Sequence, residues 1–413
     1  MPISWTHRYA QRTRRMTSSA IRELLKVTEQ PDMISFAGGL PAPDLFPVEE
    51  MAVAAERVLR DFGPQALQYS TTEGYRPLRE WLANDTSTSG LAISPDNILI
   101  TSGSQQALDL LGKIFINSGD HLVVEAPTYM GALQAWNAYE AEYLAIPADE
   151  QGMLTAELEP ALRVGPKLIY SLPTFQNPTG VTLTLERRQR LVELAGRYGV
   201  PIIEDDAYGQ LRFEGDALPS LLALAGPAST NGKGAYEGHV IYLSTFSKTL
   251  VPGLRLAWIV APGEVIRKLV QAKQGADLHS ATFNQMIAYE AVRDGFLRQH
   301  VPLIQKVYRE RRDVMLAALA EHFPPGVHWT RPDGGLFLWV TLPEGVNGAE
   351  LLPAALAAKV AFVPGAPMFP NGGGENTLRL NFSNATPASI REGIARLGRV
   401  LYDKIRATQA VLV

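Results

Sequence analysis

From about residue 50 to residue 300, short apolar runs bounded by turn formers alternate with helix-patterned segments, and few folds accommodate that alternation. "NILITSGSQQALDLLGKIF" (97–115) reads as a strand, a small-residue turn and a helix with Leu108, Leu111 and Phe115 on one stripe. "DHLVVEAPTY" (120–129), "PKLIYSLPTFQNPTG" (166–180), "VPIIEDDAYG" (200–209), "HVIYLSTFSK" (239–248) and "LRLAWIVAP" (254–262) each supply another strand. The pattern predicts an α/β fold, a mainly parallel sheet with helices on both faces. In such sheets ligands lie beyond the carboxyl ends of the strands, so the strand-end residues carry the functional question.

Around this core the chain divides into three: residues 1–45 as an N-terminal arm and part of a small domain, 46–300 as a large domain, and 301–413 as a smaller α+β domain. The last opens with a long helix over about 302–322 and continues through "GGLFLWVTLP", "VAFVPGAPMF" and "TLRLNFS" as strands. Near the N-terminus, "SSAIRELLKVTEQ" reads as a short amphipathic helix capped by Ser18 or Ser19 and stopped before Pro31.

A formal net charge of -4 and a pI near 6.0 argue against a nucleic-acid or membrane-surface binder and leave small molecules as partners. With no cysteine, thiolate metal sites, disulfides and cysteine nucleophiles drop out together. The seven histidines are scattered without zinc-site spacing, so no metal is expected. The start of the chain lacks a signal-type apolar core and no run is long enough to span a membrane, so a cytoplasmic protein is expected.

The strand ends carry Ser104 and Gln105, Tyr129, Asn177, Asp205 with Tyr208, and Thr245 through Ser247 and Lys248 to Arg255. One cofactor needs all of these residue types. Pyridoxal 5'-phosphate has an aldehyde that wants an amine, a pyridine nitrogen that wants a carboxylate, a phenolic oxygen that wants donors, a flat ring and a phosphate dianion. Lys248 supplies the amine for a Schiff base, and a cationic, semi-buried setting shifts a lysine toward the required neutral form. Asp205 ends an apolar run, where a carboxylate needs a cation such as a pyridinium N–H. Tyr208 and Asn177 can donate to the phenolic oxygen, although "NPTG" alone is only a turn. Ser104 and Gln105 open a helix, which suits an anion; plain N-capping by Ser102 or Ser104 is the structural alternative. Tyr129 could stack on the ring.

These segments resemble, in order, the fold-type I pyridoxal-phosphate-dependent aminotransferases of class I: Thr245 to Lys248 to Gly253 to Arg255, "NPTG", "DDAYG" and "RLNFSNA". "SAIRELLKVT", "ISFAGGLPAPDLFP", "ALQYSTTEGYRPLRE", "TSGSQQALDL" and "KQGADLHS" narrow the resemblance to bacterial 2-aminoadipate aminotransferases and their kynurenine/aminoadipate relatives. The resemblance implies a seven-stranded-type sheet and a homodimer with shared active sites. It implies Lys248 as the Schiff-base lysine, Asp205 at the pyridine nitrogen, Tyr208 and Asn177 at the phenolic oxygen, and Tyr129 on the ring. Ser104, Gln105, Thr245 and Arg255 hold the phosphate in this picture, joined by Tyr69 from the other subunit. Asn177, Arg379 and the Gly39 backbone meet the substrate α-carboxylate, and Arg22 meets a distal carboxylate. At Thr245 the family usually has serine; the hydroxyl survives.

The expected reaction is a ping-pong transamination from 2-aminoadipate to 2-oxoglutarate, with Lys248 as general base. Glutamate, leucine and aromatic amino acids are further expected donors. A broad aromatic, branched-chain or kynurenine aminotransferase is the alternative, and an amino-acid lyase a more distant one. Regulators with an aminotransferase-like domain would need a helix-turn-helix segment ahead of the sheet, where about thirty residues precede "ISFAGG".

Overall fold

The computed structural model describes residues 3, 5–16, 32–88, 90–226 and 235–411, with 407–411 as backbone only. The expected helix over "SSAIRELLKVTEQ" and Arg22 within it lie outside the described residues.

The large sheet has eight strands, in the order Ile98–Thr101, Ala257–Val260, Val240–Thr245, Ile202–Asp206, Leu168–Ser171, His121–Ala126, Glu142–Asp149 and Gly152–Met153. Five neighbours from Val240–Thr245 to Glu142–Asp149 pair in parallel. Ala257–Val260 runs against both of its neighbours, and the two-residue strand Gly152–Met153 folds back on the edge. The reversal has a consequence for the site. Arg255, which precedes its strand, arrives at the same end of the sheet as Lys248, which follows its own.

Period-two side-chain alternation splits the strands between two cores. Leu122, Val124, Ile203 and Ile241 pack on one face with Leu108 and Leu111 of the helix Ser104–Phe115. Val123, Ile202 and Val240 pack on the other with Leu191 and Leu194 of the helix Leu185–Tyr198. Both faces are therefore covered, as a mainly parallel sheet requires.

A second, antiparallel sheet orders His328–Trp329, Phe337–Thr341, Thr377–Asn381 and Val363–Pro364. The strand Ile34–Ser35 pairs in parallel with Val360–Ala361. That pairing fixes the following Ala37–Gly39 segment where it reaches both Lys248 and Arg379.

The helix expected over 302–322 is longer, Phe296–His322, with Pro302 inside it. Leu297 and Val301 are buried ahead of the proline, and this packing carries the helix through a residue that removes one of its hydrogen bonds.

Candidate active site

The turn after Ile98–Thr101 places Gly103 at φ 89° as the cap of the helix Ser104–Phe115. A Cβ at Gly103 would run into the Arg255 guanidinium, so this position brings backbone and cation together as only glycine permits. Among the described residues neither serine of the turn caps the helix: no side chain does, and the buried Ser104 hydroxyl has no partner. The first N–H groups of a twelve-residue helix, an open hydroxyl and an arginine thus share one corner, the elements of an anion site. Gln105 instead donates from Nε2 to the Gly131 carbonyl at 2.8 Å, tying two helices together.

Thr245 lies at the end of its strand with its hydroxyl already engaged: Oγ1 sits 2.9 Å from the Leu256 carbonyl and 3.0 Å from Ser247 Oγ, and accepts from the Ser247 N–H at 3.1 Å. In this geometry Thr245 braces the lysine turn against the neighbouring strand.

Lys248 Nζ donates to the Gly39 carbonyl at 2.7 Å. Burial, followed by the Arg379 and Arg255 charges, lowers its pKa to about 8. A substantial neutral fraction therefore exists near pH 8, which an amine nucleophile or base requires.

Asp205 is buried at the end of Ile202–Asp206. Its Oδ2 accepts from the Tyr170 hydroxyl at 2.8 Å, whereas Oδ1 is buried without a partner among the described residues. Burial raises its pKa to about 6, against the hydrogen bond from Tyr170, with the Asp206 charge pushing the same way as burial. A buried carboxylate oxygen without a donor is costly, and a pyridinium N–H is a group that would meet it. The donor set thus fits pyridoxal phosphate: a lysine amine, a carboxylate oxygen in want of a cation, and an anion corner.

Asn177 Nδ2 donates to Tyr208 Oη at 3.4 Å, and its Oδ1 accepts from Arg379 Nη1 at 2.7 Å. Arg379 is buried, donates from Nη2 to the Ala37 carbonyl at 2.8 Å and lies 4.3 Å over the Phe337 ring, with Nε unpartnered among the described residues. Burial lowers its pKa to about 10, so it remains a cation at neutral pH. Burial likewise pushes the Tyr208 phenol well up, leaving it a neutral donor. Tyr129, half-buried, caps the helix Met130–Asn137 and folds over Gly131.

The structure brings Lys248, Gly39, Arg379, Asn177 and Tyr208 into one connected set, with Asp205 and the Ser104–Arg255 corner at neighbouring strand ends. Tyr69 is 79% exposed, with its ring edge at 5.9 Å on His279, the residue before the Ser280 that bonds Ser102. The sequence reading missed Tyr170, which looks like any core aromatic in "LIYS". Only the register, with Tyr170 opposite Ile203, sets it diagonally beside Asp205.

Among the described residues no helix is long and apolar enough to cross a membrane, and no cluster of residues suits a metal ion.

The model of the family "Aminotransferase class I and II" matches residues 31–397. The chain is 48% identical to a 2-aminoadipate transaminase of Thermus thermophilus over 401 residues, 97% of this chain and 98% of the relative. It is 47% identical to aromatic-amino-acid aminotransferase 1 of Thermococcus litoralis, over 96% of this chain and 95% of that one. The crystal structure of the Thermus thermophilus α-aminoadipate aminotransferase in complex with N-(5'-phosphopyridoxyl)-L-leucine superposes with a TM-score of 0.91 at 46% identity, covering 98% of this chain and 100% of that one.

Proposed function

Because the chain belongs to the class I and II aminotransferases and is a pyridoxal-phosphate enzyme, we propose that it transfers the amino group of 2-aminoadipate to 2-oxoglutarate. Glutamate, leucine and aromatic amino acids would be further donors. The observation that carries the catalytic part is Lys248: held on the Gly39 carbonyl, its pKa is lowered to about 8 by burial and then by the charges of Arg379 and Arg255. The preference for 2-aminoadipate rests on the relative that is 48% identical.

Lys248 would bond the cofactor, Asp205 Oδ1 would receive its pyridinium N–H, and Asn177 and Tyr208 would donate to its phenolic oxygen. Tyr129 would cover the ring. Ser104, the N-terminus of its helix and Arg255 would take the phosphate; Gln105 and Thr245 would act there through the backbone they brace. When bound, the cofactor supplies an aldehyde and an electron-withdrawing ring that stabilises negative charge on the substrate α-carbon. Arg379 would turn toward the α-carboxylate, since its Nε is already open and its two other bonds are to neutral oxygens. Lys248 Nζ would then remove the α-proton, and its lowered pKa favours that role. Donor and acceptor would use the site in turn, the 2-oxo product leaving before 2-oxoglutarate enters.

Arg22 would meet the distal carboxylate of an acidic donor, and Tyr69 would complete the phosphate site of a second subunit in a homodimer. The exposure of Tyr69 supports its availability for that contact. A cytoplasmic location and the division at residues 45 and 300 belong to the same reading.

A second reading, a broad-specificity aromatic or kynurenine aminotransferase, is favoured by the 47% identity to an aromatic-amino-acid enzyme. A panel of amino donors assayed with 2-oxoglutarate and purified protein separates the two. A kcat/KM for 2-aminoadipate at least about tenfold above that for phenylalanine or kynurenine, a difference of 1.4 kcal/mol, is expected; the reverse order would select the second reading.

A further inference from the structure

The anion corner raises a question that its own residues leave open. The Ser102–Gly103–Ser104 turn has no capping side chain, yet it must hold Gly103 against Arg255 and keep the Ser104 hydroxyl aimed away from other partners. What fixes it lies behind, on Ser102. The Ser102 N–H donates to Gln106 Oε1 at 2.7 Å, and the Ser102 hydroxyl lies 3.2 Å from Asp277 Oδ2 and 3.0 Å from Ser280 Oγ. Gln106 Nε2 donates to the same Asp277 Oδ2 at 2.6 Å. One carboxylate oxygen therefore lies against both the Ser102 hydroxyl and the Gln106 amide that takes the Ser102 N–H.

The other oxygen, Oδ1, takes the ammonium of Lys273 at 2.6 Å. Lys273 is fully buried on the helix Gly263–Gln274, and the Asp277 N–H bonds back to the Lys273 carbonyl at 3.0 Å. Burial raises the pKa of Asp277, but the hydrogen bonds from Lys273, Gln106 and Ser102 outweigh it and hold the carboxyl below its usual range. Lys273 has no solvent contact while the Asp277 side chain is 28% exposed, and an ion pair so placed contributes little net stability, so its weight falls on what it positions.

We propose that the Lys273–Asp277 pair is a positioning device for the cofactor phosphate: through Gln106 and Ser102 it sets the direction of the Ser104 hydroxyl and of the first N–H groups of the helix. Within the turn Asp277 meets Ser102, not the Ser104 hydroxyl. Lys273 neutralises it, so the strut brings no net negative charge toward an anion. This rests on the reading of the Ser104–Arg255 corner as the phosphate site.

The test uses the apo-enzyme and two ligands that differ only in the phosphate, pyridoxal 5'-phosphate and pyridoxal, each titrated by the visible absorption of the bound form. Gln106→Leu removes the link without stranding a buried charge; the double variant K273M/D277N removes the pair while keeping its charges balanced. Losing one or two such hydrogen bonds should weaken pyridoxal phosphate about tenfold to a hundredfold. Pyridoxal affinity should stay within about twofold, and the ³¹P resonance of the bound cofactor should shift. An equal loss for both ligands, or unchanged phosphate-ligand affinity in a variant that melts like the parent, would overturn the proposal. If the parent itself binds pyridoxal as tightly as its phosphate, the phosphate-site reading fails instead.

Discussion

Tyr170→Phe removes one hydroxyl and little else. The ring is fully buried and packs edge-on against Trp136 at 5.0 Å, contacts that phenylalanine keeps. What disappears is the 2.8 Å hydrogen bond to Asp205 Oδ2, while Oδ1 already has no partner. A hydrogen bond to a charged group contributes about 1.5–3 kcal/mol, and about 1.4 kcal/mol corresponds to one pH unit. The Asp205 pKa, already raised to about 6 by burial against the Tyr170 hydrogen bond, should therefore rise by a further unit or two. Near pH 7 the parent carboxylate is about tenfold more ionised than protonated, whereas in the variant the two forms become comparable or reverse. A protonated Asp205 cannot accept from a pyridinium, so ring protonation should fall. With ring-¹⁵N pyridoxal phosphate bound, the parent resonance should stay at the protonated position near neutral pH and the variant resonance should move toward that of free pyridine. The apo-enzyme gives a control on sign. The lost bond matters only to the carboxylate, so the variant should be destabilised more near pH 8 than near pH 5. An unchanged ¹⁵N shift in a variant that binds cofactor would refute the link between Tyr170 and the ring nitrogen.

Three further outcomes are expected. Lys248→Ala should abolish the visible absorption of lysine-bound cofactor and lower turnover by more than about a thousandfold; retention of both would remove Lys248 from the reaction. Arg22→Ala should raise KM for 2-aminoadipate and glutamate by about tenfold or more while leaving leucine nearly unchanged, and a uniform effect would show that it does not read the side chain. Glu125 is buried, and burial pushes its pKa up to about 7, so the folded chain keeps a proton that the unfolded chain has lost. Its contribution to stability is thus present at low pH and declines as pH rises from about 4.5 through about 7. Glu125→Gln should flatten that part of the apo-enzyme melting profile, and an unaltered slope would contradict the assignment.

Much of this site is legible before any coordinates, because chemistry-bearing residues at strand ends are separated by recognisable buried runs. Lys248, Asp205 and Asn177 follow from that pattern. Tyr170 does not, since its role depends on which strand lies beside Ile202–Asp206 and in what register. Asp277 and Lys273 are hidden for a different reason: at i and i+4 near a helix end they read as an ordinary exposed pair, and only packing reveals a lysine with no solvent contact. The strand Glu142–Asp149 escapes because Pro147 and its partly exposed edge position mask the apolar run. The reversed direction of Ala257–Val260 is invisible in sequence, yet it carries Arg255 to the lysine end of the sheet.

The charged groups of the site share a further property that neither burial nor resemblance alone explains. Lys248 bonds to the carbonyl of Gly39, Arg379 to the neutral oxygens of Asn177 and Ala37, and Asp205 to the neutral hydroxyl of Tyr170. Each is fixed in place by a neutral partner, so its direction is set but its charge is not compensated. In its proposed role, an Arg379 paired with a carboxylate would oblige a substrate carboxylate to displace an equal charge, whereas displacing an amide oxygen would leave a net gain of an ion pair in a low-dielectric site. The same logic applies to Asp205, whose Oδ1 has no partner among the described residues, and to Lys248, which burial first and then the Arg379 and Arg255 charges keep from holding its proton tightly. Uncompensated buried charge lowers the stability of the ligand-free chain. Filling the site should therefore raise the melting temperature as cofactor concentration exceeds its Kd, and a dicarboxylate added to the loaded enzyme should raise it again through Arg379.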